Sequence, residues 1–251
     1  MLRILLLAML LWLPACGNSG PATAEQWLQL AAGHYQADFA TDFEMKFALQ
    51  ENKQTVDVLH RGSLQGRDAN HYRLQAQTLM LLPQLGNQAM TVDNLQVADG
   101  EWLWMESTMN GMPQSVVLKR KLDELESMAQ VNEQGANQLS PSDLNPLYVW
   151  RLALQHGKFE LAEDVGADRQ VLTSPATPEF LTAAAHRAQF WQPRQLEIAL
   201  HRPTGAPLSL KLLKEDGSVS WQTTFTMWAA REIEDNQLQY TPPDGISVLT
   251  Q

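Results

Sequence analysis

The sequence predicts an α+β fold: an antiparallel sheet with one apolar face and one wet face, covered by helices inserted mid-chain. Three observations predict it. Phe39, Thr41, Phe43, Met45, Phe47 and Leu49 alternate with Asp42, Glu44 and Lys46. A period of two marks a half-buried strand, and one-sided strands of this kind typically belong to antiparallel sheets. Further alternating runs flank a central stretch with helical spacing. Asp99-Gly100, Asn110-Gly111 and Asp216-Gly217 supply hairpin turns.

The elements follow in order. Residues 1–15 read as a secretory signal: Arg3 supplies a charge, Ile4 to Leu13 is unbroken apolar sequence, and small Ala15 precedes the cut. The run is too short to span a bilayer as a helix. Residues 16–23 form a short tether rich in Gly, Asn and Ser, and 24–251 read as a single domain with no repeat or internal linker. Thr23 caps a helix, with Gln26 placed for a capping box. Trp27, Leu28, Ala31 and Tyr35 recur along that helix.

Val56, Val58 and Leu64 continue the strand pattern, as do Tyr72, Leu74, Ala76 and Met80. Val92, Leu95 and Val97 follow, with a phase change near Asp93-Asn94 that predicts a bulge. Trp102-Leu103-Trp104-Met105 lies beyond the first hairpin turn. Leu118, Leu122, Leu125 and Ala129 predict a helical stripe opposite Asp123, Glu124 and Glu126. Ser140-Pro141-Ser142-Asp143 and Asn145-Pro146 are helix starts, and Thr177-Pro178-Glu179 opens another helix through His186. Leu147, Tyr148, Trp150, Leu152 and Leu154 make the most apolar helix. Strands return at Leu196, Ile198 and Leu200. Leu208, Leu210 and Leu212 then pair across Asp216-Gly217 with Val219, Trp221, Phe225 and Met227, and the last predicted strand is Leu238 to Thr241.

Composition bounds the function. The chain has 251 residues, 44% hydrophobic and 18% charged, and a net charge of -10. That charge argues against nucleic acid or an anionic membrane surface as the main partner. Ten Met and eight Trp suit either a Met-rich core or a surface that fits varied apolar ligands. His34, His60, His71, His156, His186 and His201 are scattered, with no metal-ligand spacing. No nucleophile elbow or phosphate-binding loop occurs. Asp123, Glu124 and Glu126 read as a solvated helix face and Glu163-Asp164 as a turn. The expectation is therefore a non-enzyme with no metal or cofactor. Lys119-Arg120-Lys121 reads as a solvated helix start or, alternatively, a contact for phosphate headgroups.

A curved sheet with one apolar face needs cover, and the available helices are few and short. They leave either a packed core or a cavity. The candidate cavity wall is Phe39, Phe43, Met45, Phe47, Val58, Leu74, Trp102, Trp104, Trp221 and Phe225 from the sheet, with Leu122, Leu147 and Trp150 from the helices. Each acyl methylene buried there contributes about 0.8 kcal/mol.

Two resemblances sharpen these expectations. Leu13-Pro14-Ala15-Cys16 resembles the lipobox of a bacterial lipoprotein, and Cys16 is the sole cysteine. The resemblance implies that Cys16 becomes the lipidated N-terminus, held by two or more acyl chains, which anchor stably where one does not. Gly17 stands where an inner-membrane lipoprotein often has Asp, which implies the periplasmic face of the outer membrane. A plain exported protein with a free thiol is the alternative. With Cys16 lipidated no disulfide is possible, and the core alone must hold the domain.

Val97-Ala98-Asp99-Gly100-Glu101-Trp102-Leu103-Trp104 resembles the hairpin of the LolA/LolB-like lipoprotein-localisation factors. Tyr240-Thr241-Pro242-Pro243-Asp244-Gly245-Ile246-Ser247-Val248 resembles their C-terminal ending. The resemblance implies an unclosed β-barrel, here of about eleven strands by the pattern above, with an apolar cavity for acyl chains. The family's Arg-Pro latch after the second strand corresponds to Gly66-Arg67-Asp68-Ala69, so Arg67 is the lid-latch candidate. The implied function is a membrane-anchored periplasmic lipoprotein that binds acyl chains of lipoproteins or lipids, for receipt, insertion or trafficking. The alternative is an envelope regulatory or scaffolding module that binds a membrane protein partner.

Overall fold

The computed structural model describes residues 21–51, 54–82, 88–110, 115–122, 144–162, 166–184 and 186–250. The signal, Cys16, most of the tether, the acidic face at 123–126, Leu125, Ala129, the helix start at Ser140 and the Glu163-Asp164 turn lie outside the described residues. The elements are α1 (Ala24–Gly33), β1 (Phe39–Glu51), β2 (Gln54–Gly66), β3 (His71–Leu82), β4 (Gln88–Asp99), β5 (Trp102–Met109) and β6 (Val116–Lys121). Then come α2 (Pro146–His156), β7 (Glu160–Leu161), β8 (Arg169–Pro175), α3 (Pro178–Ala184) and α4 (His186–Trp191). The chain ends with β9 (Gln195–His201), β10 (Pro207–Leu213), β11 (Val219–Ala230), a 3-10 turn (Asp235–Leu238) and β12 (Val248–Thr250).

Among the described residues the strands form one twelve-stranded sheet in the order β12-β6-β5-β4-β3-β2-β1-β11-β10-β9-β8-β7. Every neighbouring pair is antiparallel except β12 with β6. The sheet does not close on itself. Its edges are β12 and β7, three and two residues long. Such short edges limit pairing with a second chain.

The inner face follows from the alternation in β1. Phe39, Thr41, Phe43, Met45 and Phe47 are buried, and Asp42 and Lys46 are exposed. Register carries this face outward: Phe43 lies opposite Gly62 and Phe225, and Met45 opposite His60 and Thr223. Leu103 of β5 and Leu172 of β8 belong to one buried cluster with Trp27 of α1, Trp150 of α2, Phe180 of α3 and Trp191 of α4. Strands so distant within the sheet share a core because the sheet curves around the helices.

The caps hold the helices in place. Thr23 and Gln26 form the expected capping box on α1. Asn145 Oδ1 accepts from Leu147 N at 2.9 Å, with Pro146 in the first helical turn of α2. Thr177 Oγ1 accepts from Phe180 N and donates to the His156 carbonyl at 2.8 Å. That hydroxyl joins the end of α2 to the start of α3.

Several expectations are corrected. Leu118 is not helical: residues 116–121 form β6, whose Lys119 and Lys121 lie over the Trp102 ring. The Lys119-Arg120-Lys121 cluster therefore sits on a strand. No bulge interrupts β4, which pairs in continuous register with β3 from His71–Asp99 to Leu82–Gln88. Leu238 to Thr241 is not a strand. The 3-10 turn ends at Leu238, and the chain crosses the outer face before pairing as β12. The hairpin of β7 and β8 interrupts the helical insertion, a break that the sequence pattern does not announce.

Candidate functional site

A cavity of about 410 Å³ opens between the inner sheet face and two helices. Its apolar wall is Leu103 from β5, Leu122 just beyond β6, and Leu147, Trp150 and Leu154 from α2. Tyr35, beyond the end of α1, and Tyr72 of β3 complete it. The i, i+3, i+7 spacing of Leu147, Trp150 and Leu154 presents one helical stripe to the cavity. The volume lies within the range of roughly 300–1,000 Å³ typical of small-molecule sites.

The rim is polar. Gln36, Asp68, Asn70, Arg151 and Gln155 surround the opening. Asp68 accepts from Asn70 N at 2.7 Å, His71 N at 2.8 Å and His71 Nδ1 at 2.9 Å. Burial alone would raise its carboxyl, but these bonds outweigh it and hold the pKa below the ordinary value. Burial pushes the Tyr72 phenol up to about 12, against the opposing pull of Asn145 and the Arg151 charge. Tyr72 Oη donates to Gln96 Oε1 at 3.4 Å. Tyr35 is raised well above its ordinary value by burial. Both phenols are neutral donors.

A second feature of the inner face is a polar row. Ser107 Oγ donates to Asn94 Oδ1 at 3.0 Å, and Asn94 Nδ2 donates to Thr78 Oγ1 at 2.8 Å. Thr78 Oγ1 pairs in turn with His60 Nδ1 at 2.8 Å. His60 is fully buried against the Phe43 ring. Burial lowers its pKa to about 4, opposed by the Leu144 backbone, so the imidazole is neutral.

The sequence-derived wall residues divide into three groups. Leu122, Leu147 and Trp150 line the cavity. Phe39, Phe43, Met45, Phe47, Val58, Leu74, Trp221 and Phe225 are buried in the contiguous core but do not line this cavity. Trp102 and Trp104 face away from it. Trp104 lies opposite Val97, whereas inward Leu103 lies opposite Ala98. The Trp104 indole donates to Asp99 Oδ2 at 3.0 Å and packs on Tyr240, and Lys119 Nζ sits 4.0 Å from the Trp102 ring centre. These tryptophans lie on the outer face, where Trp104 meets the C-terminal strap of residues 231–250.

Arg67 is a latch of a different kind. Its Nη2 donates to the Ile233 carbonyl at 2.7 Å and its Nη1 to Asp235 Oδ1 at 2.8 Å, and Nε lies 3.5 Å from Asp38 Oδ1. Asp38 Oδ2 also accepts from Ile233 N. The cluster fastens the C-terminal strap, not the helices.

Tyr35, Tyr72, Leu103, Asn145 and Leu154 line the cavity without being wall candidates in the sequence. Tyr35 and Leu154 carry a signal, since both continue helical stripes visible in the pattern. Tyr72 and Asn145 meet only through tertiary packing. Among the described residues no cluster of His, Cys, Asp or Glu could hold a metal, and no helix is long and apolar enough to cross a membrane.

No family model matches the sequence, and no curated protein matches it. Solved structures similar to this chain include an uncharacterised conserved protein from Thermus thermophilus, with 13% identity, 91% of this chain and 99% of that chain covered, and a TM-score of 0.47. The MucA/MucB complex of Pseudomonas aeruginosa matches with 19% identity, 86% and 60% coverage, and a TM-score of 0.32. A LolA superfamily protein from Nitrosomonas europaea matches with 11% identity, 88% and 99% coverage, and a TM-score of 0.30.

Proposed function

We propose that this protein is an exported, lipid-anchored binding protein that takes acyl chains of lipoproteins or lipids into the cavity between the sheet and α2. The observation that carries this reading is the cavity of about 410 Å³ walled by Leu103, Leu122, Leu147, Trp150 and Leu154. An unfilled apolar cavity forfeits the contacts its lining could make. An acyl chain would restore them, each methylene contributing about 0.8 kcal/mol before ordering costs. The polar rim would leave a headgroup or attached polypeptide in water. The chemistry asked of the site is enclosure, which needs no nucleophile or general base.

The anchor limits the role. A protein tethered through lipidated Cys16 would receive, insert or locally extract acylated cargo, and would not ferry it alone between membranes. Replacing Cys16 with Ser should move the protein from the membrane to the soluble periplasmic fraction.

Binding of a fluorescent fatty acid to the purified chain tests the reading, with Leu154→Glu as the disabling variant. Leu154 is only half-buried, so a charge there should spare the fold, which circular dichroism would verify. Saturable binding by the wild type, lost in the folded variant, supports the proposal. Absence of binding by the wild type overturns it.

A further inference from the structure

One lip of the cavity is a single layer of sheet. Leu103 of β5 and Leu122 just beyond β6 face into the cavity. Trp102 and Lys121, the residues that precede them in the chain, are cross-strand partners on the outer side. Leu122 N donates to the Glu101 carbonyl at 3.0 Å and closes the tip of the lip. Gly100 N donates to the carbonyl of Asn70, a rim residue, at 2.9 Å. Whatever rests against Trp102 therefore rests beside the opening.

The outer side of this lip is amphipathic. Trp104 is tied into the fold by Asp99 and Tyr240. Trp102 is half-buried, and the ammonium groups of Lys119 and Lys121 lie 4.0 and 5.6 Å from its ring centre. Lys121 and Glu101 are exposed. An indole flanked by lysines suits a membrane–water boundary, where the ring sits at headgroup level and the ammonium reaches the aqueous side. Lys119 and Lys121 are matched by Asp99 and Glu101, and the chain as a whole carries a net charge of -10. That balance opposes a strongly anionic surface and fits headgroups that carry a phosphate and an ammonium together. An acyl chain that crossed open water would lose the free energy that enclosure gains, so the mouth must meet the bilayer directly. Resting on the acyl-binding reading above, we propose that Trp102 and Lys121 form a contact with a bilayer of zwitterionic phospholipid. The contact turns the mouth of the cavity onto the membrane, and acyl chains enter there.

The test uses the purified chain carrying Cys16→Ser, so that no acyl anchor contributes. Sedimentation with vesicles of phosphatidylcholine, alone or mixed with phosphatidylglycerol, reads docking. Phosphatidylcholine brominated along its chains reads indole depth by fluorescence quenching, and a soluble fluorescent fatty acid reads the cavity separately. The parent chain should sediment with phosphatidylcholine vesicles, and less so as phosphatidylglycerol is added. Trp102→Ala should weaken docking about fivefold, the scale for a partly exposed indole losing an apolar surround. Lys121→Glu should weaken it about threefold, the scale of one exposed ion pair. Trp102→Phe should remove much of the quenching by brominated lipid. Neither Trp102 nor Lys121 lines the cavity, so each variant, folded by circular dichroism, should keep its fatty-acid affinity within about twofold of the parent. A parent chain that stays in the supernatant, variants that sediment as well as it does, or quenching unmoved by Trp102→Phe overturns the inference and leaves acyl binding standing. Docking that rises with phosphatidylglycerol overturns it too and assigns the surface to an anionic partner. Docking without fatty-acid binding overturns the acyl-binding reading and leaves the membrane contact in place.

Discussion

The Arg67 guanidinium donates to the Ile233 carbonyl at 2.7 Å and so ties the β2–β3 turn to the segment that leaves β11. Asp38 completes the knot from the start of β1, accepting from Ile233 N at 2.8 Å. Beyond this point the chain crosses the outer face, buries Ile233 and Leu238, and donates the Tyr240 hydroxyl to Glu106. Residues 231–250 are therefore a strap, and Arg67 is its first fastening.

Arg67→Ala should cost about 1–2 kcal/mol, the scale of charge-assisted hydrogen bonds reduced for partial exposure. Hydrogen exchange should quicken across residues 231–250 before it quickens in β1. Asp235→Asn should cost far less, because the Asp235 side chain is 82% exposed. Urea unfolding compares the two variants.

Stability should fall as the solution is acidified, through a window set by His60. Folded His60 titrates at about 4, and its ordinary value is 6.5. Between these limits the unfolded imidazole takes up a proton that the folded one refuses. The contribution of neutral His60 is complete above pH 6.5 and falls as pH drops towards 4, by an amount on the order of 3 kcal/mol. His60→Gln should flatten this part of the stability profile, measured by urea unfolding at several pH values.

Gly62 should tolerate no side chain. It faces inward between Phe43 and Ala76, and a Cβ there would lie 2.5 Å from the Ala76 Cα. Backbone cannot yield as a flexible side chain can. Gly62→Ala should lower stability by about 1–3 kcal/mol, in the range for overpacked cores. The midpoint of urea unfolding checks this.

Trp104→Phe should separate strap from cavity. It removes the indole bond to Asp99 Oδ2 and should cost about 1 kcal/mol in stability. Because Trp104 faces outward, affinity for an acyl probe should stay within about twofold of wild type, a factor that corresponds to well under 1 kcal/mol. Isothermal titration and urea unfolding read the two quantities separately.

Much of the fold is legible in the sequence because the residues that decide it act locally. Phe39 to Phe47 alternate strictly, and Thr23, Asn145 and Thr177 cap helices whatever lies around them. Reading fails where a second layer alters the rule. Val97 points outward yet is fully buried under the strap, while Asn94 and Gln96 point inward and are polar. This inversion looks like a change of phase, and so predicts a bulge that does not exist. Trp102 and Trp104 mislead for the same reason, because large aromatics suggest the inner face unless something covers the outer one. Leu118 and Leu122 have helical spacing, but Lys119 and Lys121 alternate over Trp102, a cross-strand relationship that only the register reveals. Leu147 and Trp150 are readable as cavity wall from one apolar helix stripe. Tyr72, Leu103 and Asn145 are not, because the chain brings them together from three separate places.

The central claim is that the cavity below α2 takes acyl chains. The most direct measurement is methyl NMR of Leu103, Leu147 and Leu154 during titration with a fatty acid that carries a nitroxide along its chain. The account predicts saturable broadening of these three signals, with Leu249, exposed on β12, unaffected. Saturating probe that leaves the cavity methyls sharp, or broadens only exposed leucines, would contradict it.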